Sequence, residues 1–301
     1  MTDTAPLDNE RLPTEMANPA YSRNKGFTTP PREMSAEELQ AMYNAPAATV
    51  TARSAAPATP VTSVGGAGAT EVTGPAMSIE GTMVKTFGLF ALLVVGAVGA
   101  WMLTTVNPAA GSIAMIVGGL VGFVLAMVNI FKREPSAPLV LLYALAQGVF
   151  LGALSKVFET QWNGIVVQAV LATLAVVGVT LALFASGKIR ASAKGTKVFL
   201  IAMVGYLVFS LINVLLMSFG AISNPWGIGG IEIFGIPLGL VIGVFAVLLG
   251  AYSLVLDFEF IRNGVANRMP AKFEWTGGFG IMVTVIWLYT EILRMLAISR
   301  N

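Results

Sequence analysis

Between residues 86 and 298 the chain passes through seven apolar stretches, near 86–106, 111–131, 137–158, 163–186, 197–220, 234–256 and 276–298. Each is close to the roughly 20 residues that cross the hydrocarbon core of a bilayer as an α-helix. In lipid every backbone N–H and C=O must be satisfied within the protein, which leaves helices and closed barrels. The runs are continuously apolar rather than alternating, so a barrel is excluded. The pattern therefore predicts an all-α polytopic membrane protein, a bundle of seven transmembrane helices. Composition agrees, since 11% of the residues are charged against about 25% in a soluble domain.

Residues 1–82 read differently. They hold 14 of the 34 Asp, Glu, Lys and Arg residues and are rich in Pro, Ala, Thr and Ser, as over 45–62. Such a segment buries too little apolar surface to offset the entropy of ordering, and a disordered cytoplasmic tail is expected. Within it Ser35 and Glu38 match a capping box, which predicts a short amphipathic helix over 35–43. Residues 83–301 form the expected membrane domain. No signal peptide precedes the first apolar run, so that run is expected to be the anchor.

Loop charges suggest an orientation. With the N-terminus in the cytoplasm, Lys132, Arg133, Lys188, Arg190, Lys194, Lys197, Arg262, Arg268 and Lys272 face inward, leaving Lys156, Arg294 and Arg300 outside. The positive-inside rule then favours a cytoplasmic N-terminus and an external C-terminus. The tail has nine acids and five bases, and residues 83–301 have seven acids and thirteen bases. In a membrane protein such an excess reports orientation and anionic lipid, so the bilayer rather than nucleic acid is the expected partner.

Small residues recur at four-residue spacing: Gly118 with Gly122, Gly148 with Gly152, and Gly235, Gly239 and Gly243. Their common use is close approach of neighbouring helix backbones. A conduction path beside them is the sharper reading.

Cys and His are both absent. That removes disulfides, thiol nucleophiles, imidazole bases and the usual ligands of zinc, copper and haem. Proton chemistry must run on carboxylates, Lys, Tyr or water. No Ser-His triad, phosphate-cradling loop or H-E-x-x-H helix is present. The run Gly227–Gly230 lacks the strand and helix of a dinucleotide site and reads as an outer loop. No enzyme and no cofactor are expected.

Acids within a bilayer need a cavity, a partner or a place at the interface. Of the seven after Thr82, Glu134, Glu159 and Glu232 fall in expected loops, and Glu259 and Glu274 flank the last inner loop. Asp257 bounds the sixth run and should sit near its cytoplasmic end, with Arg262 as a structural partner or with a functional role of its own. Glu291 must belong to the last helix, because the uncharged run 276–290 has only 15 residues and is too short to span alone. Its structural partner would be Arg294, three residues on and on the same face.

Three segments carry a resemblance: P-L-V-L-L-Y-A-L-A-Q-G-V-F-L-G-A-L-S (138–155), L-V-L-D-F-E-F-I (254–261) and L-Y-T-E-I-L-R-M-L (288–296). With them, residues 83–301 resemble the Bax inhibitor-1/YccA family, and the N-terminal extension is similar to that of actinobacterial-type members. The resemblance implies a helical bundle with a central last helix, in the bacterial plasma membrane, acting as a pH-sensitive calcium or cation leak. It further implies a pair of carboxylates on the sixth and seventh helices that share a proton and gate the path. Asp257 matches the first by motif, and the resemblance thereby implies a place for it in a calcium pathway. The second position aligns locally with Glu291 or helix-wide with Thr284. The implied cationic latch on the second helix has only Lys132 and Arg133 nearby, with Arg262 as a further basic residue.

Depth bears on these alternatives. At 1.5 Å per residue Glu291 lies ~22 Å from the inner end of a helix starting at Thr276, whereas Asp257 is expected close to that end. Unless the helices extend further than the apolar runs, Thr284 or the interfacial Glu274 is the nearer neighbour. A Thr in place of the second acid removes half of the charge of such a switch. The rival reading is a non-conducting interaction protein that regulates a membrane protease or a stress-response complex through its tail.

Overall fold

The computed structural model describes residues 75–300 apart from positions 223 and 225. The expected tail, with its helix over 35–43, thus lies outside the described residues up to residue 74. Seven helices follow one another: α1 Ile79–Val106, α2 Pro108–Phe131, α3 Ala137–Gln161, α4 Ile165–Ala185, α5 Ala193–Ser218, α6 Leu238–Ala266 and α7 Glu274–Ser299. All seven are long and apolar enough to cross a membrane, and the chain is a multi-pass membrane protein.

Local chemistry sets the ends. Asn107 closes α1 through its backbone N–H, which donates to Leu103 O at 2.8 Å, and opens α2 through its side chain, which accepts from Ala110 N at 3.1 Å. Pro108 at the first position of α2 has no N–H to satisfy, so the chain reverses with one residue between the helices. Ser78 and Ser192 cap α1 and α5 in the same way. Glu159, expected in a loop, lies in the last turn of α3, where its carboxylate accepts from Gly164 N at 2.6 Å and Val166 N at 3.1 Å. These are orphan donors at the start of α4.

Three boundaries differ from the apolar pattern. α1 begins at Ile79, so a division drawn after residue 82 falls inside it. α6 continues to Ala266, ten residues past the end of its run, because the polar residues beyond Leu256 pack instead of breaking the helix. It also starts later, at Leu238, since Glu232–Ile233 and Ile236–Pro237 pair as a two-stranded hairpin. Phe234 and Gly235 form its turn with φ of 55° and 75°, the positive values that a tight hairpin requires at both positions. Gly235 therefore leaves the expected glycine row, and only Gly239 and Gly243 belong to α6.

The last helix is central. α7 packs against α1, α3, α4 and α6, and 50% of its spanning window is buried, against 6% for α5 at the periphery. Where lipid is as apolar as the side chains, close packing drives helix association, and the glycines provide it. A Cβ on Gly96 would meet Leu145 O at 2.8 Å, and Gly148 and Gly152 face the backbone of Leu93 and Ala97, so α1 and α3 touch almost backbone to backbone. Gly118 faces Phe150 N at 2.9 Å, which brings α2 onto the other side of α3. The Gly227–Gly230 run is a 3-10 turn between α5 and α6, held by Ile228 N donating to Asn213 Oδ1 at 2.7 Å.

One end of the bundle is knitted together by polar contacts. Met77 N donates to Met269 O at 2.6 Å and Ala271 N to Pro75 O at 2.9 Å, fastening the entry to α1 onto the turn before α7. Lys272 reaches Glu134 at 2.8 Å across to the α2–α3 loop. The hydrogen bond from Lys272 and its positive charge hold the Glu134 carboxyl below its ordinary range.

Candidate functional site

The site is built from α6 and the most buried span, α7, which run antiparallel. Asp257 is nine residues from the end of α6 and Thr284 ten residues from the start of α7. At 1.5 Å per residue each lies about 14–15 Å in from the shared end, and so they meet. Thr284 Oγ1 donates to Asp257 Oδ2 at 2.7 Å, and Ser253 Oγ, one turn earlier on α6, lies 3.2 Å from Thr284 Oγ1. Asp257 and Thr284 are 6% and 5% exposed. The helix-wide alternative for the second position is therefore the one that forms.

This corrects the expected depth of Asp257. It sits well inside its helix because α6 outlasts its apolar run. Arg262, its expected structural partner, binds Glu259 instead.

Glu291 does not join Asp257. It is seven residues beyond Thr284, about 10 Å further along the axis, and has its own partners. Arg294 Nη2 and Nε donate to Oε2 at 2.6 and 3.2 Å, and the Tyr206 hydroxyl of α5 donates to Oε1. The Glu291–Arg294 pair forms as the three-residue spacing requires, and it makes Glu291 part of a structural network. Glu274 lies at the opposite end of α7. It accepts from Ser78 N at 2.9 Å and pairs with Lys85 at 2.8 Å, so it caps α1 and does not face Asp257. The implied pairing of two carboxylates thus does not form, because helix register places a hydroxyl opposite Asp257.

Nor does a latch close on it. Lys132 and Arg133 are exposed beyond the end of α2, and neither they nor Arg262 pairs with Asp257. Among the described residues no group of three or more His, Cys, Asp or Glu side chains is arranged to hold a metal ion.

Of the four acids that the helices α6 and α7 carry, Glu259 is matched by Arg262, Glu274 by Lys85 and Glu291 by Arg294. Asp257 has no ion-pair partner among the described residues; its side chain is met by the Thr284 hydroxyl, which Ser253 contacts in turn. Burying a carboxylate without a counter-charge is costly and marks a functional position in membrane helices.

Sequence reasoning did not find Ser253, Tyr206 or the buried pair Ser155–Tyr289, whose hydroxyls meet at 2.6 Å between α3 and α7. The available signal was a hydroxyl within an otherwise apolar run, which buried spans retain when it has a partner.

Comparison with curated proteins gave no match, and comparison with solved structures gave none. A family model for Bax inhibitor 1 like proteins matches residues 18–301, nearly the whole chain. Together with the seven apolar helices arranged around a central last one, this match establishes that the chain belongs to the Bax inhibitor 1 like family.

Proposed function

We propose that the protein is a non-enzymatic leak for calcium or a similar cation in the bacterial plasma membrane, with Asp257 as its ion-attracting and proton-responsive group. The observation that carries this reading is that Asp257 has no counter-charge among the described residues, when the other three acids of α6 and α7 each have one. A carboxylate kept without a counter-charge in the centre of a bundle is available to a passing cation or proton, and hard oxygen donors suit calcium.

The switch in this reading uses one carboxylate and two hydroxyls. A Thr hydroxyl both donates and accepts. When Asp257 is ionised, Thr284 donates to it and can accept from Ser253. When Asp257 carries a proton, it donates to Thr284, whose own proton turns to Ser253. The same three oxygens therefore serve both states, while the charge facing the path changes by one. The loop charges favour a cytoplasmic N-terminus and an external C-terminus.

Full-length protein in calcium-loaded liposomes provides the test. Wild type should give a protein-dependent flux that changes across pH 6–8, and Asp257→Asn should give one that does not respond to pH. No flux from the wild type at any pH would overturn the leak and leave a membrane protein that acts through its partners.

A further inference from the structure

α1 and α4 both pack on α7 but leave a gap between them, which forms a groove of about 1110 Å³. Its floor is Ile281, Val285, Ile286 and Tyr289 of α7. Along α1 it extends from Ile79 to Trp101, 22 positions on, or about 33 Å of helix against a hydrocarbon thickness of about 30 Å. The walls are apolar and face outward: Phe87 of α1 is 73% exposed and Leu174 of α4 is 60% exposed. A volume above the usual ~300–1,000 Å³ of small-molecule pockets, open along a membrane-spanning face, has the length and apolar lining that an acyl chain needs.

The chemistry at its ends is unequal. The only charged side chains among the described residues that line it are Arg190, in the α4–α5 loop, and Arg262, near the end of α6. Both lie at the end where α4 finishes and α1 begins, and Lys188 stands on the same loop as Arg190, with Lys194 in the first turn of α5. Arg190 rests over the Phe184 ring at 4.7 Å, which keeps it at the mouth. Arg262 is engaged by Glu259, yet its pairing uses one nitrogen, and a guanidinium has five N–H donors. An apolar trough of near-bilayer depth with two guanidiniums at one rim matches one kind of bilayer component, an apolar chain that ends in an anionic phosphate.

We infer that the α1–α4 groove is a binding site for an anionic glycerophospholipid, with an acyl chain along α7 and the phosphate against Arg190 and Arg262. The site is separate from Asp257 and does not depend on the protein conducting ions.

Native mass spectrometry of the delipidated full-length protein, with phosphatidylglycerol and phosphatidylcholine of identical chains as probes, tests this. Juxtamembrane basic residues each favour anionic lipid enough that two should give about a thirtyfold preference for phosphatidylglycerol in the wild type. Arg190→Gln with Arg262→Gln should bring the two lipids level, and either single change should lose about fivefold. Lys132→Gln with Arg133→Gln, on exposed charges that do not line the groove, should leave the preference intact. Val94→Trp, which fills the groove from α1, should weaken retention of both lipids. Equal retention of the two lipids by the wild type would overturn the inference. So would an equal loss from the Lys132 and Arg133 changes, which would mean general surface charge. Displacement of phosphatidylglycerol by inorganic phosphate at matched concentration would also overturn it, since the chain would then contribute nothing. If the double Arg variant does not fold, the single variants and Val94→Trp decide.

Discussion

The pairing of Asp257 with Thr284 depends on the geometry of two helices, and its energetics can be separated from the proposed transport. Thr284→Val keeps the shape of the side chain and removes the hydroxyl that donates at 2.7 Å. Leaving a buried acceptor without its donor costs about 1–3 kcal/mol, more when the acceptor is charged. In an Asp257→Asn background the same change should cost less, so a double-mutant cycle read by thermal unfolding in detergent should give a coupling of at least about 1 kcal/mol. Additive losses would show that the two side chains do not interact. Residue by residue, what could be read beforehand was local. Glu291 and Arg294 are three positions apart on one helix, and their pair follows from helical periodicity. Tyr206 reaches the same carboxylate from 85 positions away, and Ser253 meets Thr284 across 31. No periodicity within a single segment encodes such a meeting.

At the scale of the helices, the tight faces and the open ones are set by which glycines another backbone approaches. Gly152 faces the Ala97 backbone, whereas Gly99, also on α1, has open space where a Cβ would go. Gly152→Ala should therefore destabilise the bundle by about 1–3 kcal/mol through overpacking. Gly99→Ala should be neutral or stabilising by up to about 1 kcal/mol, from better helix propensity alone. Unfolding of the two variants side by side checks the assignment, and equal effects would refute the close α1–α3 contact. The four-residue spacing of Gly148 and Gly152 announced this interface, but the same spacing at Gly235 did not continue into α6. There Phe234 and Gly235 turn a hairpin with positive φ, and Phe-Gly lacks the Asn-Gly or Asp-Gly signal by which such turns are recognised. The ends of α6 were illegible for a related reason. An apolar run marks where lipid is met, not where helical hydrogen bonding stops, and α6 carries Asp257, Glu259 and Arg262 within its last turns because each finds a partner.

For the molecule as a whole, the absence of Cys makes the proposed orientation directly measurable. Ser186→Cys, beside the basic α4–α5 loop, should react with an impermeant maleimide only in inverted membrane vesicles. Thr160→Cys, at the opposite end of α3, should react only from outside. The reverse pattern would invert the topology. The sequence by itself determined that the chain crosses a bilayer seven times as helices. Run length against bilayer thickness and the need to satisfy every backbone polar group leave no other solution. It also marked Asp257 as an acid bordering an apolar run, and the family to which the chain belongs. The tertiary structure decided that α1 and α4 leave a groove between them and that, of the alternatives open at the second position, a Thr rather than a second acid stands opposite Asp257. Those outcomes rest on the register and crossing of helices far apart in the chain. A shift of one helical turn, about 5.4 Å, exchanges one facing residue for another while leaving every hydrophobic run unchanged.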